Sequence, residues 1–148
     1  MAYLDNENEV GFDDLKKLVL GKKIKGVRYG SCIGDSDFLI LENGFELELF
    51  ESAQDCCANA HGEWELLNGD DLEAGITDME IVNYQEFIDD DFDTPCSTCE
   101  LHILHNQNLL AKGECYANSG NGGFYFSVLS LKVIMPNEDA VSAVILSS

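Results

Sequence analysis

Six cysteines, three histidines and a large excess of carboxylates are the residues of this chain that could do chemistry. Cys96-Ser-Thr-Cys99 has the spacing of half a zinc site, and Cys56, Cys57 and His61 could supply the other half. Adjacent cysteines rarely chelate one tetrahedral ion, because on a strand they point to opposite faces. Thioredoxin-type redox chemistry fits less well. Cys99 runs into strand-like "ELHILH" with Asp93 and Glu100 nearby, and negative charge raises a thiol pKa. His102 and His105 lie three apart, on opposite faces if the segment is a strand. Asp89, Asp90, Asp91 and Asp93 lack the spacing and glycine of a calcium-binding EF-hand loop. No P-loop, GxGxxG, HExxH or GxSxG occurs. The expectation is a non-enzymatic protein with no cofactor and no bound metal. Its carboxylates are numerous but show no pattern along the chain.

The charge points to binding. The chain has 148 residues and a formal net charge of −20. Residues 1 to 28 hold six bases against five acids, and residues 29 to 148 hold two bases against 23 acids. Such a surface repels phosphate, so direct nucleic-acid binding is not expected. A basic protein is the natural complement, and the acidic run Asp89, Asp90, Asp91 and Asp93 is the candidate partner-binding segment. The same acidity would also serve solubility alone. A second constellation suits a small nucleotide-type ligand: the basic Lys22, Lys23, Lys25 and Arg28 with the amide and aromatic residues Asn121, Phe124 and Tyr125 of "NSGNGGFYF". Such a loop also serves as a plain hairpin connection.

The elements that must position these residues are mostly strands. A hydrophobic content of 45%, with eight Phe, five Tyr and one Trp, supports a packed core in one domain over 1–148. "FDDLKKLVL" has a helical period, with acids first, lysines later and Gly21 after it. "KKIKGVRYG" alternates across a glycine that marks a bulge. "FLILENGFELELF" places two strands around Asn43-Gly44, the preferred pair of a type I′ turn, with Phe45, Leu47 and Leu49 on one face. "EWELL", "ITDMEIVNYQEF", "CELHILH" and "LLAKGECYA" read as further strands, with turns at "NGDDLEAG" and "NQN". "IDDDFDTP" reads as an acidic loop. "FYFSVLSLKVIM" reads as the central strand, ended by Pro136, and "EDAVSAVIL" as a last helix or strand. The fold class is α+β: a mostly antiparallel, hairpin-rich sheet with a short N-terminal helix. No apolar run is long enough to span a membrane. The start has no signal-peptide pattern, so a cytoplasmic protein is expected.

The stretches "L.NGFELELFESAQDCCANAHGEWELL", "LEAGITDMEIV" and "GGFYFSVLSLKV" resemble a family of small, uncharacterised phage-encoded proteins over residues 15 to 134. The most specific element is Gln54-Asp55-Cys56-Cys57. Ala58 replaces the family's usual acid, and Cys96 and Cys99 stand outside the pattern. The resemblance implies a phage origin, a place in the host bacterial cell, and a structural role for Cys56 and Cys57. One thiol would pack beneath Trp64, with Asp55 capping backbone amides where the strand breaks. Three functions fit these readings: an inhibitor of a host defence or nucleic-acid-binding protein that imitates DNA charge, a sponge for a small nucleotide-type ligand, and a virion accessory protein. A homo-oligomer is compatible with each.

Overall fold

The computed structural model describes residues 2–3, 9–30, 36–55, 57–67, 74–90 and 93–148. Cys56, Asp91 and most of the turn expected in "NGDDLEAG" lie outside the described residues, as does the side chain of Asn121.

Helix α1 spans Phe12–Val19, with Asp13 and Asp14 in its first turn and Lys16 and Lys17 in its last, matching the helix dipole. It buries Leu15 and Val19. The strands are β1 Ala2–Tyr3, β2 Ile24–Arg28, β3 Phe38–Leu41, β4 Glu46–Gln54, β5 Ala60–Leu66, β6 Asp78–Asp89, β7 Thr94–His105, β8 Asn108–Asn118, β9 Ser127–Ile134 and β10 Val141–Ser147. They form two antiparallel sheets. The first runs β10-β9-β4-β3-β2, with β1 also paired to β4; the second runs β5-β8-β7-β6. This is the α+β, mostly antiparallel fold that the sequence pattern implies.

The Asn43-Gly44 turn forms as expected. Both residues have positive φ (62° and 82°), and the Phe45 N–H donates to the Glu42 carbonyl at 3.4 Å. The register of β2 against β3 shifts between Ile24 and Gly26, the bulge anticipated at the glycine. The final segment is strand β10, not a helix. The strand expected at the centre, β9, is interior but not central: it lies between β4 and β10, β4 is the middle strand of the five, and β9 starts at Ser127. Positive φ at Gly120, Gly122 and Gly123, followed by helical backbone at Phe124, keeps "FYF" out of it.

The sheets pack face to face. Leu39, Leu41, Leu47, Leu49, Leu129, Leu131 and Val133 from the first meet Trp64, Met79, Leu101, Ile103 and Ala111 from the second in one core. Glycines set the closest approach. A Cβ on Gly62 would lie 2.8 Å from Leu49 Cβ, and one on Gly113 would lie 2.9 Å from Leu49 Cδ1. Leu49 therefore rests on the bare backbone of β5 and β8. Cys99 and Cys115 belong to the same core and are register partners on β7 and β8. Contact with Cys99, together with burial, pushes the Cys115 thiol well above its ordinary pKa.

Candidate functional site

With its inner face in the core, the second sheet turns its other face to solvent, and register brings together residues far apart in sequence. One row is His61, Tyr116, Thr98 and Gln85. The next is Glu63, Glu114, Glu100 and Val82. The third is Glu65, Lys112, His102 and Glu80. Five glutamates thus share a face with Lys112 as its one lysine. Three of them, on β5, β8 and β7, stand directly opposite one another. Like charges so placed destabilise a sheet.

Local bonds hold part of this face in a fixed form. Glu100 Oε1 lies 3.0 Å from His102 Nε2, and Asn83 Nδ2 donates to Glu100 Oε2 at 2.9 Å. The His102 contact, then the Asn83 bond, lower the Glu100 pKa, so this carboxylate stays charged. Asn83 reaches Glu100 because β6 bulges between Val82 and Gln85, where Asn83 takes φ 57°. Lys112 Nζ stands among Glu114 (3.3 Å), Glu65 (3.8 Å) and Glu100 (4.0 Å), and its pKa is raised, foremost by Glu114. The rings of His61 and Tyr116 stack at 5.0 Å between centroids and 17° between planes. Residues of the first two rows, with Asn83, line an open basin of about 550 Å³. It combines an aromatic wall, amides and ionised carboxylates, a lining that suits an ammonium or guanidinium group.

The outer face of the first sheet differs. There Glu46 pairs with Arg28 at 2.7 Å and Glu48 with Lys132 at 3.8 Å, each acid matched by a base.

Several residues singled out from sequence sit elsewhere. Asp89 is the last residue of β6, paired with Thr94, so the acidic loop is shorter than expected; Asp90 and Asp93 occupy the turn. All three are exposed, at the tip of the β6–β7 hairpin. Cys57 does not pack beneath Trp64. It is exposed, with φ 72°, in a turn closed by the Ala58 N–H on the Asp55 carbonyl at 3.2 Å. The Asp55 N–H donates in turn to the Phe126 carbonyl at 2.8 Å. With its amide turned to suit its neighbours, Gln54 donates to the carbonyls of Asp55 and Ala58. Trp64 is 3% exposed, and its Nε1 has no hydrogen-bond partner among the described residues. Cys96 and Cys99 lie within β7, not at a knuckle; Cys96 contacts the Tyr116 hydroxyl at 3.3 Å, and Cys99 faces the core.

The expected nucleotide pocket is not assembled. Lys22 covers the Phe45 ring at 4.1 Å, Lys25 is exposed, and Arg28 covers Phe38 at 4.5 Å while bonding Glu46. Lys23 forms an isolated bridge with Gly75. Arg28 pairs through Phe38 with Glu48, whereas Phe124 and Tyr125 precede Ser127, the partner of Gln54. Six residues of strand separate those positions, roughly 20 Å. Phe124 is 84% exposed, and a Cβ on Gly120 would meet Tyr125. The buried Asn118 instead ties this loop down, its Oδ1 accepting from the N–H groups of Asn59 (3.0 Å) and Gly120 (3.1 Å).

A family model described as a domain of unknown function, DUF7448, matches residues 17–132. The chain belongs to the DUF7448 family. No curated protein and no solved structure matches it. The DUF7448 match takes in every residue that lines the basin and the three rows of the outer face. No group of three or more His, Cys, Asp or Glu suited to a metal ion occurs among the described residues of this DUF7448 chain, and no helix among them is long and apolar enough to cross a membrane.

Proposed function

We propose that this protein is an acidic, non-enzymatic binding module whose working surface is the outer face of β5-β8-β7-β6 and whose partner is a basic protein. The observation that carries this reading is the contrast between the two outer faces. Glu46 and Glu48 on the first sheet each have a base of their own, Arg28 and Lys132, whereas Glu63, Glu100 and Glu114 face one another across neighbouring strands, and the single Lys112 is shared among Glu65, Glu100 and Glu114. That arrangement costs stability, and a binding role for the surplus charge accounts for it. The basin beside it would receive a Lys or Arg side chain of the partner, with Asp89, Asp90 and Asp93 at the hairpin tip steering the encounter. The resemblance around Gln54-Asp55-Cys56-Cys57 favours a phage protein acting inside the host cell. Its target would be a defence or nucleic-acid-binding protein whose DNA-binding surface the carboxylates occupy.

Titration with an arginine-rich peptide at low and high salt tests the reading. The wild-type protein should bind with affinity that falls steeply as salt rises. Glu63→Gln with Glu114→Gln should weaken binding about fivefold or more, since two carboxylates opposite each other are lost. Glu138→Gln with Asp139→Asn, an equal charge change in the exposed β9–β10 turn, should have little effect. Equal losses from both variants would show a response to net charge alone and reject the face as the site.

A further inference from the structure

Among the described residues, the exposed large hydrophobic side chains include Ile81, Tyr84, Phe87 and Ile88, all on β6; Leu20, Tyr29, Phe124 and Val144 are scattered singly. Single exposed hydrophobes are ordinary, but a group on one strand is not. Among the described residues β6 is also a sheet edge, paired with β7 alone. Its free side carries main-chain donors and acceptors open to another strand. Of the other edges, β5 carries none of these exposed hydrophobic residues, and its Ala60 N–H donates to the Glu51 carboxylate at 2.7 Å. The β10 edge is met by Glu9 and Val10, which bridge to Ser142, and β2 is a five-residue strand broken by its bulge.

Beyond the bulge at Asn83, β6 runs from Gln85 to Asp89 as exposed strand, with a cavity on either face. The basin holds Asn83 and Gln85. A second groove of about 580 Å³ is lined by Tyr84, Glu86, Phe87 and Ile88 with Ser147 and Ser148. Side chains of an added strand alternate between faces, so they would reach both. Charge decides what kind of strand this is. Glu80, Glu86 and Asp89 lie on β6 with Asp90 just beyond, and a chain of net charge −20 repels a second copy of itself.

We propose that an extended segment of the basic partner, alternating apolar residues with Lys or Arg, adds to β6 as a fifth strand of the second sheet. Main-chain bonds supply affinity, the apolar positions cover Tyr84 and Ile88 beside the second groove, and the cationic positions pass Phe87 on the outer face and point toward its glutamates, Glu100 first. This rests on the acidic-module reading and adds the mode of docking.

The probe is a short capped peptide alternating lysine and valine, compared with the same peptide N-methylated at alternate amides, which keeps charge and side chains but removes main-chain donors. The unmodified peptide should slow hydrogen exchange of residues 85–89, and N-methylation should weaken binding about tenfold or more. Phe87→Lys with Ile88→Lys, both at exposed positions, should also abolish binding of the unmodified peptide. Equal binding of both peptides without protection of β6 would overturn the strand-addition proposal while leaving the charged face intact. Protection of β6 that persists in Glu63→Gln with Glu114→Gln, and at high salt, would support strand addition and remove the charged face. Sedimentation showing self-association of the protein alone, with β6 protected in the associated form, would replace the basic segment by a second copy and overturn the proposal.

Discussion

Gly62 carries more of the structure than its size suggests. It lacks a side chain where Leu49 of the opposite sheet comes down onto β5, and an added Cβ would lie 2.7 Å from Leu49 Cδ1 and 2.8 Å from its Cβ. The Leu49 terminus can swing away, but its Cβ is fixed by the backbone of β4. Gly62→Ala should therefore force the sheets apart locally and destabilise the protein by about 1–3 kcal/mol, read as a lower denaturant midpoint in urea unfolding. An unchanged midpoint would mean that the sheets are less closely packed than described. Cys57 shows the opposite economy. It takes the left-handed backbone that glycine or asparagine adopts more readily, and its thiol lies outside the core.

At the scale of elements, an ion pair ties the helix to the second sheet. Lys16 Nζ donates to Asp78 Oδ1 at 2.9 Å, joining α1 to the start of β6. The Lys16 bond lowers the Asp78 pKa from 3.8, and the Asp78 bond raises that of Lys16 from 10.5. The signs fix the window. The contribution of Asp78 is present above the ordinary carboxylate range and is lost as pH falls through its depressed folded value. That of Lys16 is present below its ordinary value and is lost as pH rises through its raised one. Lys16→Met should cost stability at neutral pH, by about 0.5 kcal/mol given the solvent exposure of the pair. It should cost nothing in acid below the carboxylate range. Urea melts of both proteins at the two pH values check this, and a difference that persists in acid would assign the loss to packing on α1. The sequence shows α1, the Asn43-Gly44 hairpin and most strands, because helical period, turn chemistry and alternation are local signals. It does not show the carboxylate face. Glu63, Glu100 and Glu114 are dispersed along the chain and meet only through the registers of β5 with β8 and β7 with β8. Nor does it show that Asp89 belongs to a strand, since four acids in five positions look like a loop until Thr94 is seen opposite.

For the molecule as a whole, charge and fold oppose each other. With 28 acidic and eight basic residues, compaction gathers like charge, most densely on one sheet face. Screening should relieve that cost. The melting temperature should rise by several degrees as sodium chloride is added from low ionic strength, where the screening length is about 30 Å, to 1 M, where it is about 3 Å. Calorimetry across that series gives the answer, and a falling melting temperature would mean that the ion pairs of Arg28, Lys112 and Lys132 outweigh the repulsion.

Gln54 pairs with Ser127, and every strand of the second sheet lies in the chain between them. The first sheet becomes continuous only when β4 and β9 meet, which closes a loop containing the whole of the other sheet. Closing so long a loop costs entropy before any of its contacts form, and chains dominated by such distant pairings fold in milliseconds to seconds, not microseconds. The β6–β7–β8 meander, joined by short turns, can assemble within its own stretch of chain. Until β4 meets β9, the β2–β3–β4 and β9–β10 segments each hold an apolar strand with an open side. The protein's period of greatest vulnerability to aggregation is therefore the interval between forming its second sheet and closing its first.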